Sequence, residues 1–274
     1  MIRSAADPGP LARAHLLGER VFAATVRHVR RGHSNGIAAL AMNIVQTLIF
    51  LGAFLLLYAV VPGMATHAVR GDVVLFLMTG IFLFMTHVKT VGAVAAADGP
   101  GSPMMTHAPM TTAVGLMAAA LSALYVQALS MLVVLVGVHV AWHPVAIDDP
   151  VGTALMLGLA WLSGVGVGTL LLAAKPWAPQ ATQLATQLYA RVNMIASGQM
   201  FVANALPGSV IVLFDWNPLF HAIDQARGHA FINYAPHHTG WAYPLAVCGA
   251  LLVLGLMAEL HTRRRASLSW FAAR

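Results

Sequence analysis

Five stretches of this chain are apolar over at least twenty consecutive residues with few charges: Ile37 to Val61, Val73 to Ala96, Ala113 to Ala141, Val151 to Ala174 and Trp241 to Leu260. A helix needs about 20 such residues to cross about 30 Å of hydrocarbon, and within lipid the backbone must satisfy its own hydrogen bonds. The pattern predicts an all-α, polytopic membrane protein. A sixth stretch is interrupted: it starts near Leu184, carries Arg191, Asn193 and Gln199, runs to Leu206, breaks at Pro207-Gly208 and resumes only from Ser209 to Phe214. That reads as one more span followed by a re-entrant or interfacial piece, giving six transmembrane helices. Hydrophobic residues make up 59% of the 274 and charged ones 9%, against about 25% charged in soluble domains, so a water-soluble globular enzyme is excluded.

Basic residues set the expected orientation, because cytoplasmic loops retain Lys and Arg. Six spans put both termini on one side. Arg3, Arg13, Arg20, Arg27, Arg30, Arg31, Lys175, Arg191, Arg263, Arg264, Arg265 and Arg274 then fall on the cytoplasmic side, with only Arg70 and Arg227 opposite and Lys89 inside the second span. The chain divides into a cytoplasmic segment (1–36), a six-helix membrane domain (37–262) and a basic cytoplasmic tail (263–274). The N-terminal apolar run is too long for a signal-peptide core and is expected to be retained as a span. Cys248, the one cysteine, allows no intrachain disulfide and no cysteine-based metal site.

Between Gly18 and Gly32, Arg20, Arg27 and Arg31 share a narrow arc of a helical wheel with Phe22, Val26 and Val29 opposite, the pattern of a helix lying in the membrane interface. It serves either as a surface anchor or as a docking surface for a cytoplasmic partner. Two Pro- and Gly-containing connections, Asp98 to Thr112 and Lys175 to Gln187, are expected as cytoplasmic turns. Polar residues inside spans are costly, so Asn43, Gln46, His87, Lys89, Arg191, Asn193 and Gln199 are expected to face protein or water. Lys89 and Arg191 either form a basic wall along a substrate path or snorkel toward the interface. Gly164-Val-Gly-Val-Gly168 carries a small-xxx-small spacing for close helix approach. No Gly-x-x-x-x-Gly-Lys-Ser/Thr run occurs, so any use of ATP requires another subunit. On the opposite, periplasmic side, Asn217 can cap a helix with Pro218 at its first position, followed by an apolar face of Leu219, Phe220, Ile223 and Ala226 and a polar one of Asp224 and Arg227.

Thirteen histidines raise a metal alternative, and His139 and His143 have the i, i+4 spacing of a ligand pair. His221, His229, His237 and His238 lie on the same predicted outer side, but the pair stands there as a lone box, so no metal site is expected.

The interfacial segment Val21 to Gly36 leading into the first span, and Asn217-Pro218-Leu219 opening an amphipathic helix that reaches Arg227 before a last span, resemble the permease subunits of type-2 ABC exporters, within them the polysaccharide and capsular polysaccharide exporters. The resemblance implies a non-catalytic, homodimeric permease of the bacterial inner membrane, with both termini cytoplasmic. It also implies two copies of a separate ATPase that binds ATP and Mg, a lipid-linked polysaccharide as substrate, room for a periplasmic adaptor, and no nucleic acid. Arg27, Arg30 and Arg31 with Pro100, Pro103 and Pro109 would receive the motion of the ATPase. Lys89, Arg191, Trp216, Asn217, Pro218, Phe220 and Arg227 would line the substrate pathway, with Phe231, Trp241 and Tyr243 adding aromatic faces near its exit. A permease for a drug, lipid or teichoic-type polymer is the neighbouring expectation.

Overall fold

The computed structural model describes residues 9–31, 36–61, 72–97, 112–142 and 144–272. Among them every regular element is helical: α1 (Pro10–Arg31), α2 (Gly36–Val60), α3 (Val73–Ala96), α4 (Thr112–Ala141), α5 (Pro150–Ala174), α6 (Pro179–Ala196), α7 (Gly208–Ile211), α8 (Pro218–Ala230) and α9 (Ala242–Ala272), with a 3-10 turn at Ala203–Ala205. Five of these carry stretches long and apolar enough to cross a membrane: Ile37–Val60, Val73–Ala96, Thr112–Ala141, Pro150–Ala174 and Ala242–Thr262. Their limits lie within two residues of the five apolar runs.

α3 is the hub of the bundle. Of its most apolar stretch 83% is buried, against 22% for α2 and for α9, so α2 and α9 keep wide apolar faces for lipid while α3 is enclosed by protein. Glycines bring the helices together. A β-carbon on Gly164 would stand 2.7 Å from the His87 carbonyl oxygen, and one on Gly168 would stand 2.7 Å from Cβ of Val94. Gly166, about 200° round α5 from Gly164, would meet Cβ of Leu251 on α9 at 2.9 Å. One face of the glycine run therefore seats α3 and the other seats α9.

Local chemistry fixes the helix starts. Asp72 accepts from the Val74 amide at 2.8 Å, Asp149 from the Gly152 amide at 2.9 Å, and Asn217 from the Leu219 amide at 3.0 Å, the last two with Pro at the first turn. At the opposite end, the Lys175 ammonium reaches the Ala96 and Ala97 carbonyls at 3.3 and 3.4 Å, where the end of α3 presents unpaired acceptors.

Asp149 also ties α5 to the end of α8. Its amide donates to the His229 carbonyl at 2.8 Å, and its carboxylate receives the His229 ring Nδ1 at 2.9 Å. The Gly152 amide, and after it His229, holds the Asp149 carboxyl below its ordinary 3.8. A depressed carboxylate adds stability that is complete above the ordinary value and disappears as pH falls through the lower, folded one. The melting temperature of the Asp149→Asn variant is thus expected to sit below that of the native chain by a constant margin at neutral pH, and the margin should close below about pH 4. A margin unchanged down to pH 3 would remove the charge from the account.

The interrupted sixth run departs from expectation. The anticipated span from Leu184 to Leu206 is not one helix, because α6 begins at Pro179 and ends at Ala196. Residues of the expected cytoplasmic connection, from Pro179 to Gln187, belong to α6. The stop has a backbone cause: Gly198 adopts φ +71°, and a β-carbon there would stand 2.6 Å from the Phe220 ring. Only glycine takes that conformation without strain. Beyond it the chain makes the 3-10 turn, the single turn of α7 and then α8.

Candidate functional site

Four of the seven pathway residues expected from the sequence meet in one buried cluster. Asn217 caps α8 and its amide nitrogen donates to Asn193 Oδ1 at 3.0 Å and to the Ala196 carbonyl at 2.9 Å, clasping the end of α6. Pro218 and Phe220 are buried beside it, Phe220 packing its ring with Phe201 and Phe214 at centroid distances of 6.4 and 6.0 Å. Arg227, one of the most deeply buried large side chains in the chain at 1% exposure, donates from Nη1 to the Gly198 and Phe201 carbonyls at 3.0 and 2.7 Å and from Nη2 to Gln199 at 2.8 Å. Its guanidinium carbon lies 4.0 Å above the Phe76 ring.

Arg227 is thereby a clamp on the turn that ends α6. Expected along the substrate pathway, it is instead a side chain enclosed by the chain's own residues. Its countercharge is Asp224, one turn earlier, whose carboxylate receives the hydroxyls of Tyr234 and Thr239. Burial, and then the Asp224 charge, push the Tyr234 phenol far above its ordinary range, so it remains a donor.

The remaining pathway residues lie apart. Trp216 is 57% exposed, and its backbone carbonyl accepts from the Tyr243 hydroxyl at 2.8 Å. Trp241 is exposed as well, whereas Phe231 is buried. Lys89 and Arg191 do not form a common wall. The seam between α3 and α6 is made by His87: its Nδ1 lies 2.8 Å from Ser163 Oγ and 3.1 Å from the Ala160 carbonyl, and its Nε2 lies 2.8 Å from the Tyr189 hydroxyl. Ser163 commits its own hydrogen to Ala160 at 2.8 Å. Nδ1 therefore faces acceptors and carries the ring hydrogen, leaving Nε2 to accept from Tyr189. Lys89 and Arg191 each stand two residues, about 200°, from these seam residues on their helices, and so point away from it. Lys89 reaches Gln46 on α2 instead.

The feature that sequence reading missed is the division of α6 into three faces. Thr182, Asn193 and Ala196 are buried and Tyr189 is half-buried; together they occupy the face turned to α3, α5 and α8. Leu184, Leu188, Val192 and Ile195 form an exposed apolar stripe. Gln180, Gln183, Gln187 and Arg191 form an exposed polar stripe within an arc of about 80°. The i, i+3, i+7, i+11 spacing of that stripe was its signal in the sequence, hidden by assigning Gln180 to Gln187 to a loop.

Of the expected coupling residues, Arg27 is exposed on α1, which rests on α4 through Val21 and Ala24 against Val114 and Ala118. The side chains of Arg30 and Arg31, and all of Pro100, Pro103 and Pro109, lie outside the described residues. His143 lies outside them too, while His139 Nδ1 accepts from the Val145 amide at 3.0 Å. Among the described residues no group of three or more His, Cys, Asp or Glu side chains converges on a point that could hold a metal ion.

No protein-family model matches the chain, and no curated protein matches it.

Proposed function

We propose that this chain is the membrane subunit of an ATP-driven exporter that moves a capsular or related lipid-linked polysaccharide from cytoplasm to periplasm across the bacterial inner membrane. It acts as a homodimer carrying two copies of a separate ATPase. The observation that supports this reading is the polar stripe Gln180, Gln183, Gln187 and Arg191, exposed on a helix packed against membrane-spanning neighbours. Exposed amides and a guanidinium are excluded from hydrocarbon by their desolvation cost, so the stripe belongs to water. One copy of the chain offers only one wall. A second copy, meeting it along the neighbouring apolar stripe of α6, completes a hydrated path suited to a hydroxyl-rich polymer.

In this reading α6 makes the sixth crossing, the segment from Ser197 to Phe231 dips back from the outer surface, and both termini are cytoplasmic, in accord with the distribution of Arg and Lys. Trp216 and Trp241 stand at the exit, where flat apolar faces stack on sugars. The α1 surface and the 98–111 connection receive the ATPase. Affinity purification of the tagged chain in mild detergent, followed by mass spectrometry, is expected to recover a Walker-motif ATPase in a 1:1 ratio. Recovery of the chain with no ATPase would overturn the proposal.

A further inference from the structure

On the side of α3 opposite the His87 seam, α1, α2, α3 and α4 enclose an open cavity of about 630 Å³. Its polar end is unusual for a space between membrane helices. Lys89 lines it and donates to Gln46 Oε1 at 2.5 Å, and no carboxylate lies within ion-pair distance of Lys89 among the described residues. Asn43 and Gln127 also line it. Asn43 Nδ2 donates to Gln127 Oε1 at 2.9 Å and to Ser130 Oγ at 2.8 Å, while Ser130 gives its hydrogen to the Val126 carbonyl at 2.7 Å. The Gln127 amide nitrogen, on a side chain only 1% exposed, is left without a partner. Exchanging nitrogen and oxygen in both amides would only move the unused NH₂ to Asn43.

A cation without a countercharge and a spare amide donor, lining one cavity between two spans, are costly unless an acceptor-rich anion completes them. The rest of the cavity wall is apolar, with Met42 and Ile49 among its residues, and it opens beside the end of the amphipathic α1. We infer that this cavity binds one anionic phospholipid, its phosphate held by Lys89 and the Gln127 amide and its acyl chain lying along α2. The apolar wall favours a lipid over a free anion, since a free phosphate has no use for it. Placing the lipid in the inner leaflet rests on the orientation proposed above. The site itself does not, and it makes no use of the ATPase or the exported polymer.

The test uses the full chain purified in mild detergent, stripped of lipid by extended washing and titrated with phosphatidylglycerol, phosphatidylcholine or inorganic phosphate. Native mass spectrometry and thermal shift are the readouts. Phosphatidylglycerol is expected to bind as one tightly retained molecule per chain and to raise the melting temperature, with phosphatidylcholine doing neither. Lys89→Met should weaken this binding by roughly tenfold, the loss of one charge-assisted contact, and Lys89→Arg should restore it. Gln127→Glu keeps the oxygen that Asn43 needs but puts a carboxylate on the wall of the cavity that Lys89 lines. It should abolish phosphatidylglycerol binding. Equal retention by Lys89→Met and the native chain, equal binding of phosphatidylcholine, or the same stabilisation by inorganic phosphate alone would each overturn the inference.

Discussion

Replacing Arg227 by Met is expected to lower the melting temperature of the detergent-solubilised chain by about 10 °C. The substitution removes every donor to the Gly198, Gln199 and Phe201 carbonyls, and a buried polar group left unpaired costs about 1–3 kcal/mol. It also removes the positive charge that offsets the buried Asp224 carboxylate, which keeps its bonds from Tyr234 and Thr239. These effects overlap, so a total near 4 kcal/mol is expected, and about 2–4 °C is lost per kcal/mol in a chain of this size. Arg227→Lys should fall between the two, since a single ammonium keeps the charge but lacks the planar fork that spans three acceptors. Differential scanning fluorimetry and size-exclusion profiles read the result. A native-like melting temperature combined with lost export would return Arg227 to the substrate path and sink the clamp.

The second large effect is expected where α5 crosses α3. In Gly164→Val the new β-carbon would stand 2.7 Å from the His87 carbonyl oxygen and 3.1 Å from Cβ of Thr90. Backbone cannot swing aside as a side chain can, so α3 must move, and the His87 bonds to Ser163 and Tyr189 move with it. Overpacking a tight seam costs about 1–3 kcal/mol per site, and adding Gly168→Val, against Val94, should leave no monodisperse protein. Gly158→Ala in the same helix is the control. A β-carbon there meets nothing within 4 Å, and alanine is the better helix former by about 1 kcal/mol, so the variant should be neutral or more stable. Normal behaviour of the Gly164→Val chain would show that the two helices are not held at this distance.

The bearing of the glycine pair on helix packing was legible in the sequence, as were the five apolar helices and the Asn217-Pro218 start of α8. The reason is the same in each case: hydropathy over twenty residues, cap chemistry and small-residue spacing act within one or two turns of chain. The sequence also marked Lys89, Arg191 and Arg227 as special, because charge within or beside an apolar run always needs a partner. It could not say which partner.

That choice is made by contacts distant in sequence. Arg227 finds its acceptors 26 to 29 residues earlier, and the carbonyls it satisfies become available only because Gly198 turns the chain out of α6. Lys89 and His87 differ by two positions, yet one lines a cavity and the other seals a packed seam because about 200° of helix separates them, and only the placement of α2 and α6 on opposite sides of α3 gives that angle meaning. The extent of α6 was decided in the same way. Its polar stripe reads as a loop until the fold supplies a buried face, through Thr182, Asn193 and Ala196, to anchor it. Local sequence thus determined the five apolar helices and the start of α8. The tertiary structure decided which of their faces are spent on protein, and hence which are left for lipid, water or a second copy.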